Sequence, residues 1–213
     1  HLGRRLHLPQ PAHPVRLMRP PLDSPESSET AATIADLPCL DTRTDPATAA
    51  SDQICRDFRD ALGSFATGVT VLTTLTPDGR PIGVTISSFN SVSLQPPLIL
   101  WSLACDSPRL EAFRNASHYA VNVLAADQEW VSDSFANRED NRFSGVRVSK
   151  GLADVPLIKG CVAWFECSNE ARYPGGDHLI FLGRVQRFAR GEVAEPLIFH
   201  AGRYRRLRGD SGQ

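Results

Sequence analysis

The chain has 213 residues, 41% of them hydrophobic and 22% charged, enough for one well-packed domain of ordinary soluble composition. A formal net charge of −1 offers no basic face for nucleic acid and no acidic run, so small molecules are the expected ligands. No apolar run nears the roughly 20 residues that span a bilayer, and the proline-rich start lacks the apolar centre of a signal peptide, so a cytoplasmic protein with no membrane partner is expected.

Residues 1–50 carry half of the 16 prolines, with Ser and Thr between them and no sustained apolar period, and read as a disordered leader. Met18, the only methionine, is a candidate start within it. From Ser51 the texture changes. Ile54, Phe58, Ala61, Leu62 and Phe65 recur at helical spacing after a Ser51 or Asp52 cap, predicting an amphipathic helix. "GVTVLTTL" alternates and is rich in β-branched residues, and "TPDGRP" has the turn chemistry for a hairpin into "GVTISSF". "PPLILWSL" reads as a buried strand. "SPRLEAF" and "DQEWVSDSFA" read as short helices, the first capped by Ser107 with Pro108 at its first position. "HYAVNVL", "CVAWFEC" and "LIFLGRVQRF" add three strands. Strands outnumber helices without alternating with them, which favours a closed antiparallel barrel over a doubly wound sheet.

Several chemistries are excluded by what the chain lacks. No G-x-G-x-x-G follows a strand and no G-x-x-x-x-G-K-[ST] occurs, so a bound nucleotide needs another kind of site. The C-terminal "GDSGQ" has a protease-like look, but nothing follows it to build an oxyanion hole. Five cysteines, Cys39, Cys55, Cys105, Cys161 and Cys167, form no CxxC pair and read as reduced thiols, with no metal site expected. Cys161 and Cys167 are an even number apart in a strand-like run, so both are expected on one buried face. Trp101, Trp130 and Trp164 are expected in the core.

The stretch "YPGGDHLIFLGRV", residues 173–185, poses the functional question. Either Gly175 and Gly176 form a tight turn and His178 merely tops a strand, or the turn presents His178 to a ligand. Upstream, Thr85, Ser87 and Ser88 supply hydroxyls and backbone N–H groups near a strand end, suited to ring carbonyls and nitrogens or simply to water. Ser102 is a similar candidate. Ser107 at a helix start, with Arg109 in its first turn, offers donors for a phosphate, or an ordinary cap. Asn122 lies on an alternating strand with one face toward a site. Arg142 and Phe143, in a polar loop, would cover a ligand or a core edge.

Taken together, "FRDALGSFATGVTVLTT", "GVTISSFNSVSLQPPLILWSL", "AVNVLAADQ", "PGGDHLIFLGRV" and "PLIFHAGRYRRL" resemble, in order and spacing, the flavin reductase-like proteins with an FMN-binding split β-barrel. Some of these are the reductase components of two-component flavin-dependent monooxygenases. The resemblance runs from about Phe58 to Leu207 and departs from the family at Pro108-Arg109, where many relatives carry a polar residue and Thr. It implies a mainly β, Greek-key type split barrel with a few flanking helices over residues 51–208, and a flexible tail at 209–213. It also implies a homodimer that moves a hydride from NADH or NADPH to FMN or FAD and supplies reduced flavin to a partner monooxygenase.

In that reading His178 is the catalytic residue, meeting the nicotinamide beside the flavin. Thr85, Ser87, Ser88, Ser102, Ser107, Arg109, Asn122, Phe143 and Asp177 make up the cofactor site. Arg203 and Tyr204 sit at a dimer interface or near the cofactor. Two rival activities stay open: a flavin-binding redox sensor or electron carrier without NAD(P)H turnover, and an FMN-dependent oxidase of the pyridoxamine-phosphate-oxidase type.

Overall fold

The computed structural model describes residues 49–137, 143–192 and 195–207. The leader, apart from Ala49 and Ala50, Arg142 and the tail at 209–213 lie outside the described residues. The chain opens with α1 (Ala49–Gly63), which begins upstream of the expected cap, so Ser51 and Asp52 fall in its first turn. Six strands and two helices follow: β1 (Thr67–Gly68), β2 (Thr70–Leu75), β3 (Pro81–Ile86), β4 (Asn90–Leu94), β5 (Pro97–Ala104), α2 (Leu110–Asn115), β6 (His118–Val123) and α3 (Glu129–Ala136). Then come β7 (Val148–Lys150), β8 (Pro156–Ile158), β9 (Ala163–Gly175), β10 (His178–Arg190), β11 (Ile198–His200) and β12 (Arg203–Arg205).

Seven strands form one antiparallel sheet in the order β3-β2-β6-β9-β10-β5-β4. The expectation of a closed barrel is corrected here: the two edge strands β3 and β4 do not pair with each other, and the sheet stays open. It nevertheless curls. The Ser88 hydroxyl, just past β3, donates to the Ser102 carbonyl at 3.0 Å and accepts the Ser102 N–H at 3.0 Å, which fastens the end of β3 onto β5. One side-chain hydroxyl, bonded to both backbone groups of Ser102, thus spans the seam where a ladder of backbone bonds would otherwise run.

Curling gives the sheet an inside and an outside, each with its own cluster. Inside, Leu72, Ile86, Trp101, Phe113, Tyr119, Val121, Cys167 and Phe181 pack together. Trp101 stacks on Phe181 at 4.1 Å and meets Phe113 and Tyr119 edge-on at 5.2 and 5.4 Å, an edge-on arrangement that aromatic quadrupoles favour. Outside, Val69, Val71, Leu124, Val131, Phe135, Ile158, Cys161 and Leu197 pack beneath α3 and β8. Each large side chain removed from water contributes about 1.5–3 kcal/mol.

Strand β2 is buried on both faces, which is why it can hold threonines only if their hydroxyls are satisfied. Thr73 donates to the Pro156 carbonyl at 2.6 Å and Thr74 to the His118 carbonyl at 2.7 Å. The cysteine expectation is corrected as well. Cys161 precedes β9 and joins the outer cluster, whereas Cys167 joins the inner one, so they do not share a face. Trp130 is likewise not a core residue, being 51% exposed, while Trp101 is fully buried and Trp164 packs partly buried on the outer cluster.

Candidate functional site

The pairing of β10 with β5 places His178 opposite Ala104 and Ile180 opposite Ser102. The pairing of β10 with β9 places His178 opposite Gly175, leaving Gly176 and Asp177 as a two-residue turn. Only Gly176 of the two has positive φ, +68°, the pattern of a type II′ hairpin turn that follows the twist of its strands. Gly175 is thus the last residue of a strand, and the tight turn is made by Gly176 and Asp177 rather than by the two glycines. The Cys105 N–H donates to the Asp177 carbonyl at 2.8 Å, clamping this turn to the loop after β5.

Within the turn, His178 Nδ1 lies 2.7 Å from Asp177 Oδ1. That hydrogen bond, then the charge of the imidazole, and more weakly Arg59, hold the Asp177 carboxyl below its ordinary range. An ionised carboxylate at Nδ1 fixes the ring's orientation and favours the tautomer with its proton on Nδ1. Nε2 has no hydrogen-bond partner among the described residues. The side chain is 44% exposed, so the ring edge is open to a ligand.

Alternation along β3 and beyond divides the hydroxyls. Ser88 turns inward to Ser102, while Thr85 and Ser87 line an outer cleft of about 200 Å³ with Val69, Ser132, Phe199 and Tyr204. Thr85 Oγ1 is spent on the Ser132 carbonyl at 2.7 Å, and the Tyr204 hydroxyl sits 2.8 Å from Ser132 Oγ and 2.7 Å from Asp133 Oδ1. Ser87 also borders a larger cleft of about 550 Å³, walled by Arg59, Asp60, Leu62, Gly63, Phe65, Thr67, Phe199, Ala201 and Gly202. In that wall the Thr67 hydroxyl is buried without a hydrogen-bond partner. The volume is within the usual range of small-molecule sites.

Three expected site residues stand elsewhere. Asn122 belongs to the core: it is fully buried, its Nδ2 donates to the Val71 carbonyl at 2.9 Å and to Thr73 Oγ1 at 3.0 Å, and its Oδ1 accepts the Ile158 N–H at 2.8 Å. A side chain so occupied has nothing left for a ligand. The Arg109 guanidinium is buried and donates to the Asn137 carbonyl at the end of α3, where the helix dipole favours a cation, so it is no free phosphate clamp. Phe143 packs edge-on against Phe135 at 4.8 Å, covering the outer cluster. Ser107 stays near the turn, its Oγ 3.4 Å from the Arg109 N–H, and α2 itself begins two residues beyond the expected first position, at Leu110. Arg59 and Thr67, which line the larger cleft, carry no distinguishing mark in the sequence, one being a charged residue on an amphipathic helix and the other a threonine beside a glycine.

The family model described as "Flavin reductase like domain" matches residues 62–208. The chain belongs to the flavin reductase-like family. This flavin reductase-like chain is 47% identical over 152 residues to the FMN reductase (NADH) SmoA of Agrobacterium fabrum, covering 71% of this chain and 86% of that one. It is 45% identical over 149 residues to the reductase component of a flavin-dependent trigonelline monooxygenase from Acinetobacter baylyi, covering 70% of this chain and 48% of the relative, about half its length. Among solved structures, the Streptomyces globisporus NADH:FAD oxidoreductase SgcE6, in complex with NAD and FAD fragments, superposes with a TM-score of 0.71 at 38% identity, over 79% of this chain and 98% of that one. Nitrilotriacetate monooxygenase component B from Mycobacterium thermoresistibile gives a TM-score of 0.73 at 33% identity, over 78% and 92%. The family's mostly β architecture with a few helices is the one described above.

Proposed function

We propose that this chain is an NAD(P)H-dependent flavin reductase that hands reduced FMN or FAD to a partner flavin-dependent monooxygenase. The observation that carries the reading is the clamped Gly176-Asp177 turn, which sets His178 at a strand mouth with Nδ1 occupied and Nε2 free. The names of the relatives support it: an NADH-dependent FMN reductase, and a monooxygenase reductase component.

The residues fit a flavin. Ser87 is exposed at the cleft and has no hydrogen-bond partner among the described residues, so its hydroxyl would be free to meet polar groups of a ring. Bound flavin supplies the two-electron acceptor for a hydride from NADH or NADPH. The protein's share is geometry. Asp177 orients the imidazole, and Nε2 holds the carboxamide of the nicotinamide by hydrogen bonding, so that the donor ring is presented in one pose. The Ser88–Ser102 pair keeps the two walls of the seam at fixed spacing.

Assembly follows from exposed apolar surface. Phe58, Leu62 and Phe65 of the α1 region are 48%, 57% and 75% exposed, and Leu94 on the edge strand β4 is 95% exposed. Apolar faces and open edges of this kind are covered by a two-fold partner in stable proteins, and we take the reductase to be a homodimer. No helix among the described residues is long and apolar enough to cross a membrane. The free thiols at Cys55, Cys105, Cys161 and Cys167 suit a reducing cytoplasm. We place the working unit at residues 51–208.

The test is direct. Purified protein with added FMN or FAD should consume NADH or NADPH, followed at the nicotinamide absorbance band. No consumption with any of the four pairings hands the protein to the sensor or oxidase reading. Light scattering should report a dimer.

A further inference from the structure

Resting on the flavin reductase reading, we propose that Arg59 is the phosphate anchor of the site, its guanidinium binding the phosphate group of a nucleotide held in the 550 Å³ cleft. Every ligand of such an enzyme is an anionic nucleotide, yet the cation that the sequence put forward, Arg109, is buried and tied to the Asn137 carbonyl. Arg59 lines the cleft from α1, is exposed, and has no hydrogen-bond or ion-pair partner among the described residues. An uncommitted guanidinium is a planar fork of donors matched to phosphate oxygens.

Two further observations point the same way. Thr67 borders the same wall, and its buried hydroxyl has no hydrogen-bond partner. Ser87, whose hydroxyl has no partner among the described residues, borders the same cleft. A nucleotide whose ring meets Ser87 in this cleft has the Arg59 guanidinium in the same wall to receive its phosphate. Asp60 borders the cleft too, and its carboxylate opposes an anion there.

Flavin and nicotinamide nucleotides both carry the phosphate chemistry in question, and the experiment separates them. Dissociation constants of FMN and of riboflavin, which lacks the phosphate, are measured by flavin fluorescence on wild type, Arg59→Gln, Arg59→Lys and Asp60→Asn, along with KM for NADH. A flavin-phosphate anchor predicts that Arg59→Gln weakens FMN about five-fold at low salt and leaves riboflavin unchanged, with Arg59→Lys in between and the effect shrinking as salt rises. A dinucleotide anchor predicts unchanged FMN and riboflavin binding with KM for NADH raised by a similar factor. Asp60→Asn should move the same constant the opposite way. The proposal is overturned if FMN and riboflavin weaken together, or if neither FMN binding nor KM moves. The FMN-to-riboflavin comparison needs no turnover, so a wild type that bound flavin and oxidised neither NADH nor NADPH with FMN or FAD would sink the reductase reading while still deciding whether Arg59 holds the flavin phosphate.

Discussion

Replacing Asn122 by alanine strips three hydrogen bonds from a site with no access to water. Nδ2 loses the Val71 carbonyl and Thr73 Oγ1, and Oδ1 no longer accepts the Ile158 N–H. Thr73 Oγ1 keeps its bond to the Pro156 carbonyl, so its loss is light. The Ile158 N–H, buried under the outer cluster, is left without its acceptor, which costs about 1–3 kcal/mol, and the lost amide bond to Val71 adds about 0.5–1.5 kcal/mol. The total is about 1.5–4.5 kcal/mol, and at about 2–4 °C per kcal/mol for a domain of this size Tm should fall by about 3–18 °C. Thermal melts followed by circular dichroism measure the first quantity, and flavin titration of the folded variant at low temperature measures the second. The expected result is a large fall in Tm with flavin affinity unchanged. A variant that melts with the wild type but binds flavin weakly would refute the assignment of Asn122 to the core and return it to the site.

Three other outcomes are expected. His178→Ala should leave flavin affinity nearly intact while kcat/KM for the nicotinamide nucleotide falls about ten-fold, the equivalent of one hydrogen bond to a half-exposed ring; stopped-flow reduction at the wild-type rate would retire the role. Gly183→Ala should destabilise the fold by about 1–3 kcal/mol in a urea melt, because a Cβ there runs into the Tyr119 hydroxyl inside the sheet. In a Cys39→Ser background, Ellman's reagent at pH 8 should react rapidly with exposed Cys55 and Cys105, and with Cys161 and Cys167 only after denaturation, since burial pushes both of those thiols up to about 12.

What was legible in the chain was whatever a local rule decides. Strands β2, β5, β6 and β10 each bury a face and so carry β-branched or apolar runs, and the glycine at the β9–β10 turn is required by its positive φ. Strands β4, β7 and β12 expose most of their residues, and their partners alone define them. Openness of the sheet was not readable either, because it depends on whether two edges distant in sequence pair, and here a serine hydroxyl takes the place of the ladder.

The site divides along the same line. A threonine or an asparagine announces that it can form hydrogen bonds, never with whom. Thr85 and Ser87 border the same cleft two residues apart, yet the Thr85 hydroxyl is consumed by the Ser132 carbonyl of a helix packed over it, and the Ser87 hydroxyl stands exposed without a partner among the described residues. Arg109 and Arg59 differ in the same way, the first drawn into a helix end and the second left facing a cleft. Binding capacity belongs to the polar groups that folding leaves unsatisfied at an accessible surface, so a binding site is read by subtraction: first the partners that tertiary structure assigns, then the donors that remain.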